Sequence, residues 1–127
     1  MRRSRFLLAA ILAAACTTPT GPEPGTLSVK LQDPNAGLDG ALLLSLSGPA
    51  TPTSVTAAPG DSVWGGPFTG TSNQVVVTGQ LANGVILTFD VPDVTVVSQY
   101  KAIPIQAAAT SGYALRTIAG YLLGVTR

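Results

Sequence analysis

From Thr26 to Arg127 the apolar residues recur at every second position in short runs, and Gly, Pro, Asn and Asp cluster between the runs. A period of two puts alternate side chains on opposite faces of an extended chain; a helix needs a period near 3.6. The pattern therefore commits this part of the chain to short, half-buried strands joined by turns.

Thr26 to Gln32 places Leu27, Val29 and Leu31 on one face, with Ser28 and Lys30 on the other. Ala41 to Ser47 groups Leu42, Leu44 and Leu46 opposite Leu43 and Ser45. Val55 and Ala57 suggest a short strand, and Gln74 to Thr78 holds Val75, Val76 and Val77. Val85 to Val91 alternates most clearly, with Val85, Leu87, Phe89 and Val91 on one face and Ile86, Thr88 and Asp90 on the other. The intervening Asn83-Gly84 is the strongest short hairpin signal and predicts a hairpin between these two runs. Tyr100 to Ala108 continues the pattern, though Pro104 cannot donate to a ladder and marks an edge or a bulge. Tyr121, Leu123 and Val125 alternate in a closing strand. No segment after Thr26 has a convincing helical period; Ala107 to Ala119 allows a turn of helix, interrupted at Gly112.

Many short strands with frequent turns predict an all-β, antiparallel two-sheet β-sandwich spanning 26–127. A domain of this size buries roughly 65% of its unfolded surface and can fold without disulfides. The runs Gly40-Ala41-Leu42-Leu43-Leu44-Ser45-Leu46-Ser47-Gly48 and Val85-Ile86-Leu87-Thr88-Phe89-Asp90-Val91 resemble strands of cohesin-like and related immunoglobulin-like sandwiches of bacterial surface proteins. The resemblance implies a fold class and carries over no functional residue.

The N-terminus reads differently. Arg2, Arg3 and Arg5 precede an unbroken apolar run from Phe6 to Ala15. About ten apolar residues is half of a membrane span, so residues 1–15 read as a signal peptide. Leu12-Ala13-Ala14-Ala15-Cys16 resembles the bacterial lipobox, with Ala13 where that family favours Leu. The resemblance implies cleavage before Cys16 and acylation of its sulfur. Ala13-Ala14-Ala15 also fits ordinary secretory cleavage at the same bond, which would leave a free thiol. A lone thiol is a liability in an oxidising compartment, and Cys16 is the chain's single cysteine, which favours lipidation. Residues 16–25 then form a lipidated cysteine and a Pro/Thr/Gly linker, semi-rigid because prolines favour extended geometry. Thr17 lacks the Asp that retains such lipoproteins in the inner membrane, so the resemblance implies an outer-membrane address.

Composition narrows the chemistry. After cleavage Lys30, Lys101, Arg116 and Arg127 face Glu23, Asp33, Asp39, Asp61, Asp90 and Asp93, four bases against six acids. No basic cluster remains to hold a phosphate backbone, so nucleic acid is not an expected partner. The chain has no His and one Cys. It therefore lacks the residues for a Ser-His-Asp triad, a Cys-His pair or a zinc centre. No cofactor and no catalytic residue is expected.

Three places have donor chemistry. Asp33, Asn35 and Asp39 are candidate ligands of a weak calcium site, although Leu38 and Leu44 break the EF-hand pattern and turn chemistry explains the same residues. Asp90 and Asp93 flank Val91-Pro92 in one short turn, where two carboxylates lack the cleft that a glycosidase needs. The Gly-rich loop 59–70 contains Trp64 and Phe68, which are candidate contacts for a partner or ligand, or else caps on the core. The expectation is a lipid-anchored cell-envelope protein that serves as a non-catalytic protein-interaction or structural module. Its alternative is a carbohydrate-binding module built on Trp64 and neighbouring loops.

Overall fold

A computed structural model describes residues 21–127. The expected signal peptide and Cys16 lie outside the described residues. Among the described residues nine strands follow in order: β1 (Gly25–Gln32), β2 (Asp39–Ser47), β3 (Thr53–Ala57), β4 (Ser62–Trp64), β5 (Ser72–Leu81), β6 (Gly84–Val91), β7 (Lys101–Ala109), β8 (Leu115–Arg116) and β9 (Leu122–Thr126). They form two antiparallel sheets, β3-β6-β1-β9 and β4-β5-β2-β7-β8. The fold is the expected two-sheet β-sandwich.

The core lies where the alternation placed it. Leu27, Val29 and Leu31 of the four-stranded sheet bury against Leu42, Leu44, Leu46, Val75 and Val77 of the five-stranded one. At one end Tyr100 packs against Phe89, with ring centroids 5.9 Å apart and tilted by 56°. Gly48 makes room for this ring, since a Cβ there would lie 2.1 Å from Tyr100 Cδ1.

Several expectations are corrected. Asn83-Gly84 does not close a hairpin, because β5 and β6 belong to different sheets. Asn83 Oδ1 instead accepts from the Asp33 N–H at 2.6 Å, and Gly84, at φ 117°, pairs with Leu31. Long-range pairing of β5 with β2 and of β6 with β1 overrides the local turn preference.

Val85 and Ile86 also exchange faces. Val85 is 40% exposed, while Ile86 is only 1% exposed and joins Leu87 in the core. The β1/β6 register shifts between Val29 and Lys30, so Ile86 is the extra residue of a bulge. Loop 59–70 is not wholly irregular, since it contains β4. The stretch Ala107 to Ala119 forms the end of β7, a turn and β8 rather than a turn of helix.

Pro104 sits as its chemistry requires. Leu43 pairs with Gln106 and Leu44 with Pro104, leaving Ile105 as a bulge, and β8 covers only Ala107 and Ala108 of β7. A short 3₁₀ segment, Val94–Gln99, links β6 to β7 and is capped by Asp93.

Candidate functional site

β4 pairs with β5 as Ser62 to Thr78, Val63 to Val77 and Trp64 to Val76. Val63 packs on the core, so its neighbours Ser62 and Trp64 face outward. Trp64 is 60% exposed. Its Nε1 donates to Thr78 Oγ1 at 2.9 Å, which holds the indole against the outer face of β5. The ring's one polar group is thereby satisfied, and its apolar surface remains open to solvent.

Two glycines permit this arrangement. Gly65 has φ 129°, and a Cβ there would lie 2.8 Å from the Gln74 carbonyl oxygen. Gly79 has φ 144°, and a Cβ there would lie 2.1 Å from Asp61 Oδ1. Asp61 is pressed against β5 by that fit, and burial raises its carboxyl above the usual range.

The two aromatics of the loop part company. Phe68 turns inward and packs against the core, whereas Trp64 stays on the surface. Trp64 has the half-buried Val76 beside it, and Val76 pairs in turn with Leu43 of β2. Ile103, from β7, lies exposed on the same outer face opposite Ser45. Lys101 is the one charged residue among the outward-facing positions of β2, β4, β5 and β7. This face is poor in charge and displays the aromatic on its edge strand, β4.

The candidate calcium ligands belong to a different structure, at the pole formed by the β1–β2 and β8–β9 loops. Asp39 is fully buried. Arg116 Nε donates to its Oδ1, and the Tyr121 hydroxyl donates to Oδ2 at 2.6 Å. Asn35 Nδ2 donates to the Tyr121 oxygen at 3.0 Å, and its backbone N–H donates to Asp33 Oδ1 at 2.7 Å. Asp33 Oδ2 is buried without a hydrogen-bond partner.

The network sets the ionisation of its members. Burial, then the neighbouring Asp39 carboxyl, pushes Asp33 up to about 6. Burial also opposes ionisation of Asp39, but the Tyr121 hydroxyl, the adjacent Asp33 carboxyl and the Arg116 guanidinium outweigh it and hold that carboxyl below its usual range. Burial, then the bond to Asp39, pushes the Tyr121 hydroxyl up to about 12. A cation here would have to displace a guanidinium, and no group of three or more His, Cys, Asp or Glu among the described residues could hold a metal. The arrangement ties the β1–β2 and β8–β9 loops to the start of β2 and to β8.

Asp90 and Asp93 are each engaged locally. Asp90 Oδ1 accepts from Thr26 Oγ1 at 2.6 Å, and Asp93 Oδ1 accepts from the Thr95 and Glu23 N–H groups at 3.0 and 3.2 Å.

Trp64 and Asp39 stand out in the sequence, but their partners Thr78, Arg116 and Tyr121 do not. For Thr78 the usable signal is its outward position beside a Val run. For Tyr121 it is a hydroxyl at the head of a buried alternation, which must find a partner. No protein-family model, curated protein or solved structure matched the chain.

Proposed function

We propose that this chain is an exported lipoprotein anchored through Cys16, and that its immunoglobulin-like sandwich is a non-catalytic module that binds an envelope protein. The observation that supports this best is the outer face of the five-stranded sheet. Exposed Trp64 and Ile103 and half-buried Leu43 and Val76 occupy outward positions of β2, β4, β5 and β7, among which Lys101 is the one charged residue. Aromatic and aliphatic enrichment with few charges is the composition of a protein-interface core, and Trp is a frequent hot-spot residue.

Anchoring is tested by metabolic labelling with an alkynyl fatty acid. Label on the wild-type protein, and its loss with release from the membrane in Cys16→Ala, is the expected result. An unlabelled wild-type chain would leave only the secretory reading.

The binding face is tested by in-cell photocrosslinking from position 76. Wild type should capture one or two envelope proteins reproducibly, and Trp64→Ala should lose them. Because Trp64 is exposed, its truncation should alter stability by under about 1 kcal/mol, so the loss is not unfolding. Undiminished capture by Trp64→Ala would overturn the assignment.

A second reading has its own support. The indole is pinned at Nε1 with its ring displayed, and Thr78 and Gln74 flank it with hydroxyl and amide groups, a combination suited to sugar stacking. Retardation in polysaccharide gels that Trp64→Ala abolishes would favour this alternative.

A further inference from the structure

A sheet edge offers unpaired N–H and C=O groups, and folded proteins blunt the edges that are not meant to pair. Most edges here are blunted. β4 has three residues followed by two glycines, and β8 has two residues. The length of β7 beyond β8 carries Lys101, Pro104 and the bulge at Ile105. β3 pairs irregularly with β6 and has Ser54 at φ 49°.

β9 has none of these devices. Leu122–Thr126 runs in unbroken register against β1, without proline or charge, and no strand among the described residues pairs with its other side.

The outer face beside this edge is notched. Gly124, Lys30 and Val85 form one row across β9, β1 and β6. A Cβ at Gly124 would meet nothing within 4 Å, and a groove of about 520 Å³ runs there between Leu122, Thr126, Gln32 and Gly84. Lys30 lines the groove. The ion pairs among the described residues are Asp39–Arg116 and Glu23–Arg127, so the Lys30 amine has no acidic partner there. With no side chain at Gly124, the lysine stem can lie across β9, and its amine, about 6 Å from the backbone, can meet a carboxylate extended toward it from a strand two interstrand spacings, about 10 Å, away.

We propose that the β9 edge accepts an extended segment of a partner protein as a fifth strand, with an acidic side chain of that segment set against Lys30. Main-chain bonds supply the affinity of such strand addition, and the groove and the lysine supply the choice of sequence. A second copy fits poorly. Antiparallel pairing of β9 with its own copy reverses strand direction and sends the two tethered poles to opposite ends. Two chains anchored in one leaflet cannot both comply. That exclusion rests on the lipoprotein reading above, whereas the edge and Lys30 do not.

The test uses the full-length chain in lipid nanodiscs and amide-detected NMR. Its probes are two six-residue peptides of alternating Thr and Val, one bearing a central Glu and the other a central Lys. The Glu peptide should shift the amides of residues 122–126 and bind about fivefold to tenfold tighter than the Lys peptide. Lys30→Glu should invert that order, Gly124→Leu should abolish binding without lowering the melting temperature, and Trp64→Ala should change neither. No binding at millimolar peptide overturns the proposal. So do shifts confined to the Trp64 face, or a Glu preference that survives Lys30→Glu. Self-association of the anchored protein that Gly124→Leu removes would assign the edge to a second copy and would overturn it equally.

Discussion

Asp33 and Asp39 share one buried cluster, yet they respond to pH in opposite senses. Asp33 sits at about 6 when folded, above the unfolded value near 3.9. Its contribution to stability is full below about 4 and is lost as pH rises through about 6. Asp39 is held below its usual range, so its contribution is present above about 4 and is lost as pH falls. Denaturant midpoints measured from pH 3 to 8 should therefore fall off on both sides of an optimum between about 4 and 6. Asp33→Asn should remove the decline on the alkaline side and keep the acid one; an unchanged alkaline decline would contradict this account. Tyr121→Phe deletes the hydroxyl that bridges Asn35 and Asp39, leaving a buried carboxylate oxygen short of a donor. Such an orphaned group costs about 1–3 kcal/mol, and urea denaturation at pH 7 would show the loss.

At the scale of elements, the bulge in β6 makes a prediction that simple alternation reverses. Ile86→Ala should cost about 2–5 kcal/mol, because it empties a fully buried site. Val85→Thr should stay within about 0.5 kcal/mol on its exposed site. An unbulged strand would give the opposite ranking, and chemical denaturation of the two variants decides between them. Gly48→Ala is a second case, since the new methyl meets the Tyr100 ring and overpacking costs about 1–3 kcal/mol. The same elements show what was legible in the sequence. The phase of β1 and β2 could be read because the extra residues Ile86 and Ile105 lie on their partner strands, so Leu27 to Leu31 and Leu42 to Leu46 keep an unbroken period of two. In β6 the alternation holds at Leu87, Phe89 and Val91 and fails at Val85 and Ile86, because a bulge is set by the partner strand, here at Val29 and Lys30, and leaves no mark in its own sequence. The Asn83-Gly84 turn was misread for a related reason: the local signal cannot say which sheet will claim each flanking run. Trp64 was visible as an isolated aromatic in a Gly-rich loop, but its place on a sheet face depends on a three-residue strand too short to carry a period. The Asp39 cluster was hidden because its bonds to Arg116 and Tyr121 span 77 and 82 positions.

For the whole molecule, the described chain fixes where a lipid anchor would pull. Glu23 accepts from Arg127 Nη2 at 2.5 Å, and its carbonyl accepts from the Val94 N–H at 2.8 Å. The start of β1, the end of β9 and the 3₁₀ segment thus share one pole. Five residue steps separate Cys16 from Gly21, a reach of at most about 18 Å when fully extended. β2 alone, at nine residues, spans about 30 Å. An anchor at Cys16 therefore holds the Glu23 pole near the bilayer and leaves the pole with Leu38, Tyr113 and the Asp39 cluster free to stand off. Exposed Ser98 and Ser111 sample the two poles. Fluorophores placed by Ser98→Cys and Ser111→Cys, on the acylated protein in vesicles containing a headgroup quencher, read the orientation. Strong quenching at 98 and little at 111 is the expected result. It would leave both the Trp64 face and the β9 edge exposed along the sides of an upright domain. Equal quenching at both positions would mean that the sandwich lies along the membrane, and one of those two surfaces would then be covered by lipid instead of a partner.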